Sequence, residues 1–273
     1  MGEETIYRVK NDSQDMLEAG QKARQSFKYF WRELTWENRR IIPSLDLAVV
    51  KFPFETARKP NTPAYEHMWI DDISFDGETI SGTLVNQPRW VKHLEAGALV
   101  SVPLAEISDW MFAHDGKVYG GYSVNLMRSK MEPAQRQQHD EAWGFDFGDP
   151  DLIEITPYTD ENLKASCVTS SEDSKLGSQL DLELPEHPMS INMAQEFEAL
   201  LNESPDILGE KDFEGWTLLH REVLAGNVLL VESLLKNGAN PYEQNDKGEN
   251  AFDLAQKMGW TKIQAALLAY KRS

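Results

Sequence analysis

The sequence predicts two folds in succession: an α+β domain with a mainly antiparallel sheet and flanking helices, then an all-α domain of stacked repeats. Three observations carry this. Gly215, Thr217, His220 and Gly226 find counterparts in Gly248, Asn250, Asp253 and Gly259, each 33 residues on. A fixed period of that size marks repeats that stack on one another. Upstream, strand-like runs turn back at Asp76-Gly77 and Asp115-Gly116, without the strand–helix alternation of a parallel sheet. An amphipathic helix precedes them. The boundaries read 1–158 for the α+β domain, 159–189 for an acidic flexible linker, and 190–273 for about two and a half repeats.

Asn11 to Arg39 is predicted helical. Met16, Ala19, Ala23, Phe27, Phe30 and Leu34 recur at steps of three and four and make one apolar stripe. Ser13 or Asp12 caps its start, and Trp31 and Trp36 are expected to pack against a neighbouring element. Leu45–Phe52 reads as a strand that stops at Pro53, because proline cannot donate to a central ladder. A two-residue turn at Asp76-Gly77 makes Glu66–Val85 a hairpin. It pairs Ile73 with Ile80, Trp69 with Leu84 and His67 with Asn86 on the core face. Gly97–Val102 is a further short strand. The hairpin Ile107–Val124 turns at Asp115-Gly116, which sets Phe112 against Tyr119, Met111 against Gly120, Trp110 against Gly121 and Ile107 against Val124. Glycines 120 and 121 leave room for the Trp110 ring or for a ligand. A helix from Pro133 to Trp143 has proline at its first position, where the missing N–H costs nothing.

Four blocks here carry a resemblance: Glu66-His67-Met68-Trp69, Gly82-Thr83-Leu84-Val85-Asn86-Gln87-Pro88, Ile107-Ser108-Asp109-Trp110-Met111 and Gly120-Gly121-Tyr122. In this order they resemble the YegJ-like family, a bacterial domain of unknown function, over about half of the chain. The resemblance implies a bacterial protein and no assigned activity.

The residues near these blocks that suit a ligand are Glu66, His67, Trp69, Asn86 and Trp110. A histidine beside carboxylates suits acid–base chemistry, but a His–Asn pair across two strands is more simply a structural hydrogen bond. Nucleophile elbow, phosphate loop and dinucleotide fingerprint are missing from the sequence. No His-x-x-x-His pair or cysteine cluster offers metal ligands. No catalytic residue, metal or cofactor is expected. Cys167 is the one cysteine, which suits a reducing cytoplasm. The acidic start and the lack of a long apolar run speak against secretion and a membrane span.

The net charge of -18 is concentrated, since residues 146–211 hold 16 acidic and 3 basic groups. Nucleic acid and anionic membranes need clustered lysine and arginine and are not expected as partners.

The repeats resemble ankyrin repeats. Thr217-Leu218-Leu219-His220 stands in the place of the family's Thr-Pro-Leu-His, with Leu218 for Pro and Glu222 at a usual Ala position. In the next repeat Asn250 and Asp253 replace Thr and His, which puts that hydrogen bonding in doubt. The helices read Leu218–Leu224, Val228–Lys236, Ala251–Lys257 and Lys262–Tyr270, with Met193–Leu201 as part of a preceding repeat. Arrays of this family bind proteins through loop tips and inner helices. By position those are Phe213, Trp216, Arg221, Leu224, Tyr242, Asn245 and Lys247, while Trp216 and Tyr242 equally suit packing between repeats.

The expected function is therefore a cytoplasmic, non-enzymatic protein–protein interaction module, with an immunity or antitoxin-like role as its sharper form. The alternative is small-molecule binding, or an enzymatic activity, near His67, Asn86 and Trp110. Two and a half repeats lie at the edge of stability, so the array is expected to lean on the N-terminal region or on a partner.

Overall fold

A computed structural model describes residues 13–57, 59–60, 62–158 and 184–270. The bulk of the expected linker, 159–183 with Cys167, lies outside them. The chain divides into two compact units, Met1–Phe30 with Glu37–Leu182 and Trp31–Trp36 with Glu183–Ser273.

The first unit is built on a six-stranded sheet in which every strand pair is antiparallel. Helix α1 (Gln14–Glu37) leads into β1 (Leu45–Glu55), β2 (Tyr65–Phe75), β3 (Thr79–Leu84), β4 (Leu99–Pro103), β5 (Asp109–His114) and β6 (Lys117–Gly120). Two helices follow, α2 (Tyr122–Ser129) and α3 (Pro133–Trp143). The strands run β4-β3-β2-β1-β5-β6. The apolar stripe of α1 covers one face, where Phe27 meets Phe75, and Phe30 meets Trp110 and Phe112. Fully buried side chains of this size are each worth roughly 1.5–3 kcal/mol. On the other face a second cluster gathers Val49, Trp69, Met111, Val118, Val124 and Phe147.

Several expectations need correction. The strand β1 runs through Pro53, which pairs with His67 of β2. Its pairing with β5 ends at Lys51, so at Pro53 the strand has one neighbour and an absent N–H is tolerated. In the first hairpin Ile70 lies opposite Leu84 and Phe75 opposite Ile80. The turn is centred one residue later than expected, on Gly77-Glu78: Asp76 N donates to Thr79 O at 3.3 Å, and Asp76 Oδ1 accepts from Glu78 N and Thr79 N. The register also shifts between Asp71 and Ser74, where Asp72 adopts φ 49°, a left-handed value that a short polar side chain accepts. Trp69 and Leu84 therefore point to opposite faces. The second hairpin has the expected register at Met111–Gly120, Phe112–Tyr119 and Ala113–Val118. It ends at Gly120, however, and the chain turns into α2, so Val124 is helical and does not face Ile107. Helix α3 spans Pro133–Trp143 as expected, with Glu132 and Gln135 forming a capping box.

The second unit holds α4 (Pro188–Glu203), α5 (Leu218–Ala225), α6 (Val228–Lys236), α7 (Ala251–Met258) and α8 (Thr261–Tyr270). Helix α4 starts inside the stretch expected to be linker, because His187 caps it by accepting from Met189 N and Pro188 suits its first turn. The α5–α6 and α7–α8 pairs stack on each other, and α4 packs on α6. Segment Trp31–Trp36 completes this unit. Trp36 donates from Nε1 to Asn227 Oδ1 at 2.9 Å and stacks on His187. Asn227 donates in turn to buried Glu222 at 2.7 Å. His187 bonds Glu33 at 3.1 Å, and the Arg32 guanidinium lies over Trp260. Asn227 and Trp260 are 33 residues apart, so the segment holds the same turn of successive repeats.

Replacing Trp36 by Phe keeps an aromatic, though smaller, ring and removes the donor that Asn227 Oδ1 accepts from. A loss of about 1–3 kcal/mol is expected in denaturant unfolding, and an unchanged midpoint would remove Trp36 from the account. Gly226 and Gly238 have φ 81° and 96°. At Gly238 a Cβ meets open space, whereas at Gly226 it lands inside the Trp260 indole. Gly238→Ala is expected to cost about 1–2 kcal/mol through backbone strain alone, and Gly226→Ala to cost more. Equal losses in thermal melts would contradict this reading.

Candidate functional site

The five residues singled out near the sequence blocks all lie in the first unit, but they do not form one site. Glu66 accepts from the backbone N–H groups of Arg89, Trp90 and Val91 at 2.7, 2.8 and 3.0 Å, and so holds that loop. His67 Nδ1 lies 3.0 Å from Ser108 Oγ, and Asn86 is elsewhere. Asn86 Oδ1 accepts from Trp69 N at 2.7 Å, extending the β2–β3 ladder beyond the end of β3. Trp110 is on the α1 side of the sheet, where its indole N–H donates to Ala23 O at 2.8 Å. Its ring fills the space beside Gly120, so that space holds a side chain and offers no room to a ligand.

What gathers instead is a polar cluster around Asp109. Asp109 is fully buried and accepts four hydrogen bonds: from Trp110 N and Tyr122 N at 2.9 Å, from Ser123 N at 2.7 Å and from Ser123 Oγ at 2.6 Å. Lys51 Nζ donates to Ser123 Oγ at 3.1 Å and lies over the Trp69 ring. Burial pushes the Asp109 carboxyl above the ordinary carboxylate range, against the pull of Lys51 and of its donors. Burial pushes the Lys51 amine down, with Asp109 opposing. The arrangement fixes α2 on the sheet, since a carboxylate at a helix N-terminus meets its free N–H groups and its dipole. Ser108, Asp109 and Gly120-Gly121-Tyr122 belonged to the blocks noted in the sequence. Lys51 and Ser123 were missed, because they are far apart along the chain and belong to no block.

In the second unit the loops before α5 and α7 repeat one construction at the 33-residue offset. Asp212 Oδ1 accepts from Glu214 N and Trp216 N, and Asn245 Oδ1 accepts from Lys247 N and Glu249 N. Phe213 and Lys247 consequently stand out in solvent. Tyr242 is half exposed and stacks on Phe252. Arg221 pairs with Asp212 and Glu214 and lies over Trp216. Trp216, Leu224 and Asn245 are buried in the unit and shape the loops from beneath. The cap of the second repeat is intact: Asn250 Oδ1 accepts from Phe252 N and Asp253 N, while Asp253 accepts from Asn250 N. The replacements of Thr and His therefore keep the local capping box. What Asp253 does not reproduce is the reach of His220, whose Nε2 bonds Glu243 O at 2.9 Å in the next loop.

Comparison with known proteins agrees with both halves of the chain. Residues 13–147 match the family model described as an uncharacterized protein conserved in bacteria, DUF2314. A Neisseria meningitidis serogroup B protein named as an ankyrin repeat protein is 41% identical over 263 residues, 96% of each chain. The uncharacterized protein YegJ of Escherichia coli is 33% identical over 60 residues, 22% of this chain and 39% of its own. The human inhibitor of Bruton tyrosine kinase is 40% identical over 58 residues, 21% of this chain and 4% of its own. Among the described residues no helix is long and apolar enough to cross a membrane.

His220 gives the second unit a pH dependence of definite sign. Its Nδ1 accepts from Thr217 N at 3.0 Å while Nε2 faces a carbonyl, so the geometry requires the neutral ring. Burial lowers its pKa below the ordinary 6.5. The unfolded chain then binds the extra proton more readily. Stability should be full above about 6.5 and fall as pH drops toward the lower, folded value. Amide exchange of α5 between pH 5 and 7.5 checks this, and His220→Gln should flatten the slope. An equal slope in that variant would assign the effect to another group.

Proposed function

This chain belongs to the bacterial DUF2314 family, in the form that ends in ankyrin repeats, and on that premise we propose that it is a non-enzymatic protein-interaction module that holds its partner through the repeat loops. The observation that carries the reading is the presentation of aromatic side chains by those loops. Phe213 is 90% exposed and Tyr242 49% exposed, and an aromatic ring offers a large contact area at little cost in side-chain entropy. Beneath them, Asp212 and Asn245 lock the loop backbones, so the surface is organised before a partner arrives, and organisation in advance favours affinity. Arg221 and Lys247 stand beside acidic neighbours and give the patch mixed charge. The sharper form is an immunity or antitoxin-like protein, whose net charge of -18 steers it toward a basic target. Most of that charge comes from residues 146–211, with 16 acidic and 3 basic groups.

The test uses the full chain as bait in its source bacterium, followed by titration of the purified partner. Phe213→Ala combined with Tyr242→Ala should weaken binding by about tenfold or more, the scale of a lost hot spot. Both side chains are exposed, so the fold is expected to survive, which circular dichroism checks. Unchanged affinity in a folded double variant would reject the loop surface.

A further inference from the structure

The helices of the first unit leave part of its sheet uncovered. Across β2, β3 and β4, the face that carries Trp69 also carries Tyr65, Val85 and Leu99, which are 43%, 46% and 85% exposed. Thr83 sits between Asp71 and Leu99, and Ser81 and Ser101, which bond each other at 2.8 Å, lie beyond Leu99 on the same face. Asp71, opposite Thr83, has the exposed carboxylate Asp72 beside it at the bulge. Asp71 Oδ1 is buried and has no hydrogen-bond partner. Charged groups make up 26% of the chain, yet β3 and β4 hold none, so this part of the face is depleted in the way interface centres are. The edge strand β4 (Leu99-Val100-Ser101-Val102-Pro103) carries no charge and no bulge, and its shortness and Pro103 are what blunt the edge.

Lys51, across from Trp69, lies over its ring and is turned to Ser123 Oγ, and along β2, β3 and their turn the charges are of one sign. From Tyr65 to Pro88 there are five carboxylates, Glu66, Asp71, Asp72, Asp76 and Glu78, and no lysine or arginine. The nearest cations in sequence are turned to the 88–98 loop: Arg89 lies over Trp90, and Lys92 Nζ donates to Arg89 O at 2.5 Å. A second copy of this chain would bring like charge against like. The charge pattern calls instead for a partner with apolar contacts at its centre and a cation that can reach Asp71.

We propose that the uncovered β2–β3–β4 face is a second docking surface, for a basic protein that lays an apolar patch over Leu99, Val85 and Tyr65 and brings a lysine or arginine to Asp71. This surface is independent of the repeat loops. The raised pKa of Asp71, caused by burial and by the neighbouring Asp72, fits a carboxyl that lacks its cation.

The test places the photo-cross-linker p-benzoylphenylalanine at position 99 of the full chain in its source bacterium, with position 41 as an exposed control (Ile41 is 99% exposed). The expected product at 99, and not at 41, is one predominant adduct with a protein whose pI is above about 9. That protein, purified, should bind the chain at least about tenfold more weakly after Leu99→Lys, a substitution at an exposed site that sets like charge against it. Asp71→Asn should weaken it in the same direction. Binding should persist in the Phe213→Ala, Tyr242→Ala chain. That separates this surface from the repeat loops, so either can fail alone. Adducts identical at 41 and 99, no adduct, an adduct with an acidic protein, or a cross-linked pair of this chain would each overturn the proposal.

Discussion

A carboxylate removed from water must find its donors inside the protein, and Asp109 finds four. The first unit depends on that requirement. Two of the donors are backbone N–H groups of the first turn of α2, which have no partner within the helix. Meeting them fixes the point at which the chain leaves β6 and turns into α2. With α2 fixed, Arg128 reaches Asp140 of α3 by two hydrogen bonds at 2.8 and 2.6 Å and touches the carbonyls of Phe147 and Gly148. The cover over the β1–β5–β6 half of the sheet thus follows from one buried acid. Removing such a group from a satisfied network costs more than its net contribution, because every donor is left behind.

The second unit answers a different constraint. Two repeats and the helix before them pack only on their neighbours, and repeat stability is close to a sum over neighbours. The segment Trp31–Trp36 adds a partner that touches both repeat turns. Its attachment explains an irregularity of the sequence: Glu222 stands where the family has alanine, and it is buried because it holds Asn227, the acceptor for Trp36. The polar replacement is part of one chain of hydrogen bonds, Trp36 to Asn227 to Glu222.

Local chemistry was legible in the sequence wherever it decides the structure. The 33-residue offset located the repeat loops, and Asp115-Gly116 gave the register of β5 and β6. The other hairpin was misread because its turn sits one residue later, at Gly77-Glu78, and Asp72 adds a bulge, and a bulge leaves no periodic trace. Tyr122–Val124 read as the end of a strand continuing from Gly121, since Tyr and Val suit a strand and only the Asp109 cap, 13 residues away, decides for helix. The candidate residues suffered from the same limit. Glu66, His67, Trp69, Asn86 and Trp110 share blocks of sequence, yet each has a separate structural partner. The contacts that unite a cluster, Lys51 with Ser123 and Ser123 with Asp109, cross 72 and 14 residues.

Charge links these observations to function. A chain at -18 repels its own copies and acidic neighbours, and it draws basic proteins from beyond contact range until salt screens the field. Such a field sets the rate of encounter and does little to choose a partner among many cations. Choice falls to short-range surfaces, and both candidate surfaces are low in net charge: the loops with Phe213 and Tyr242, and the sheet face with Leu99 and Val85. Apolar side chains in those places cost solubility when no partner is bound. A protein this acidic tolerates that cost, because the same charge that attracts a basic partner keeps its exposed faces apart from one another.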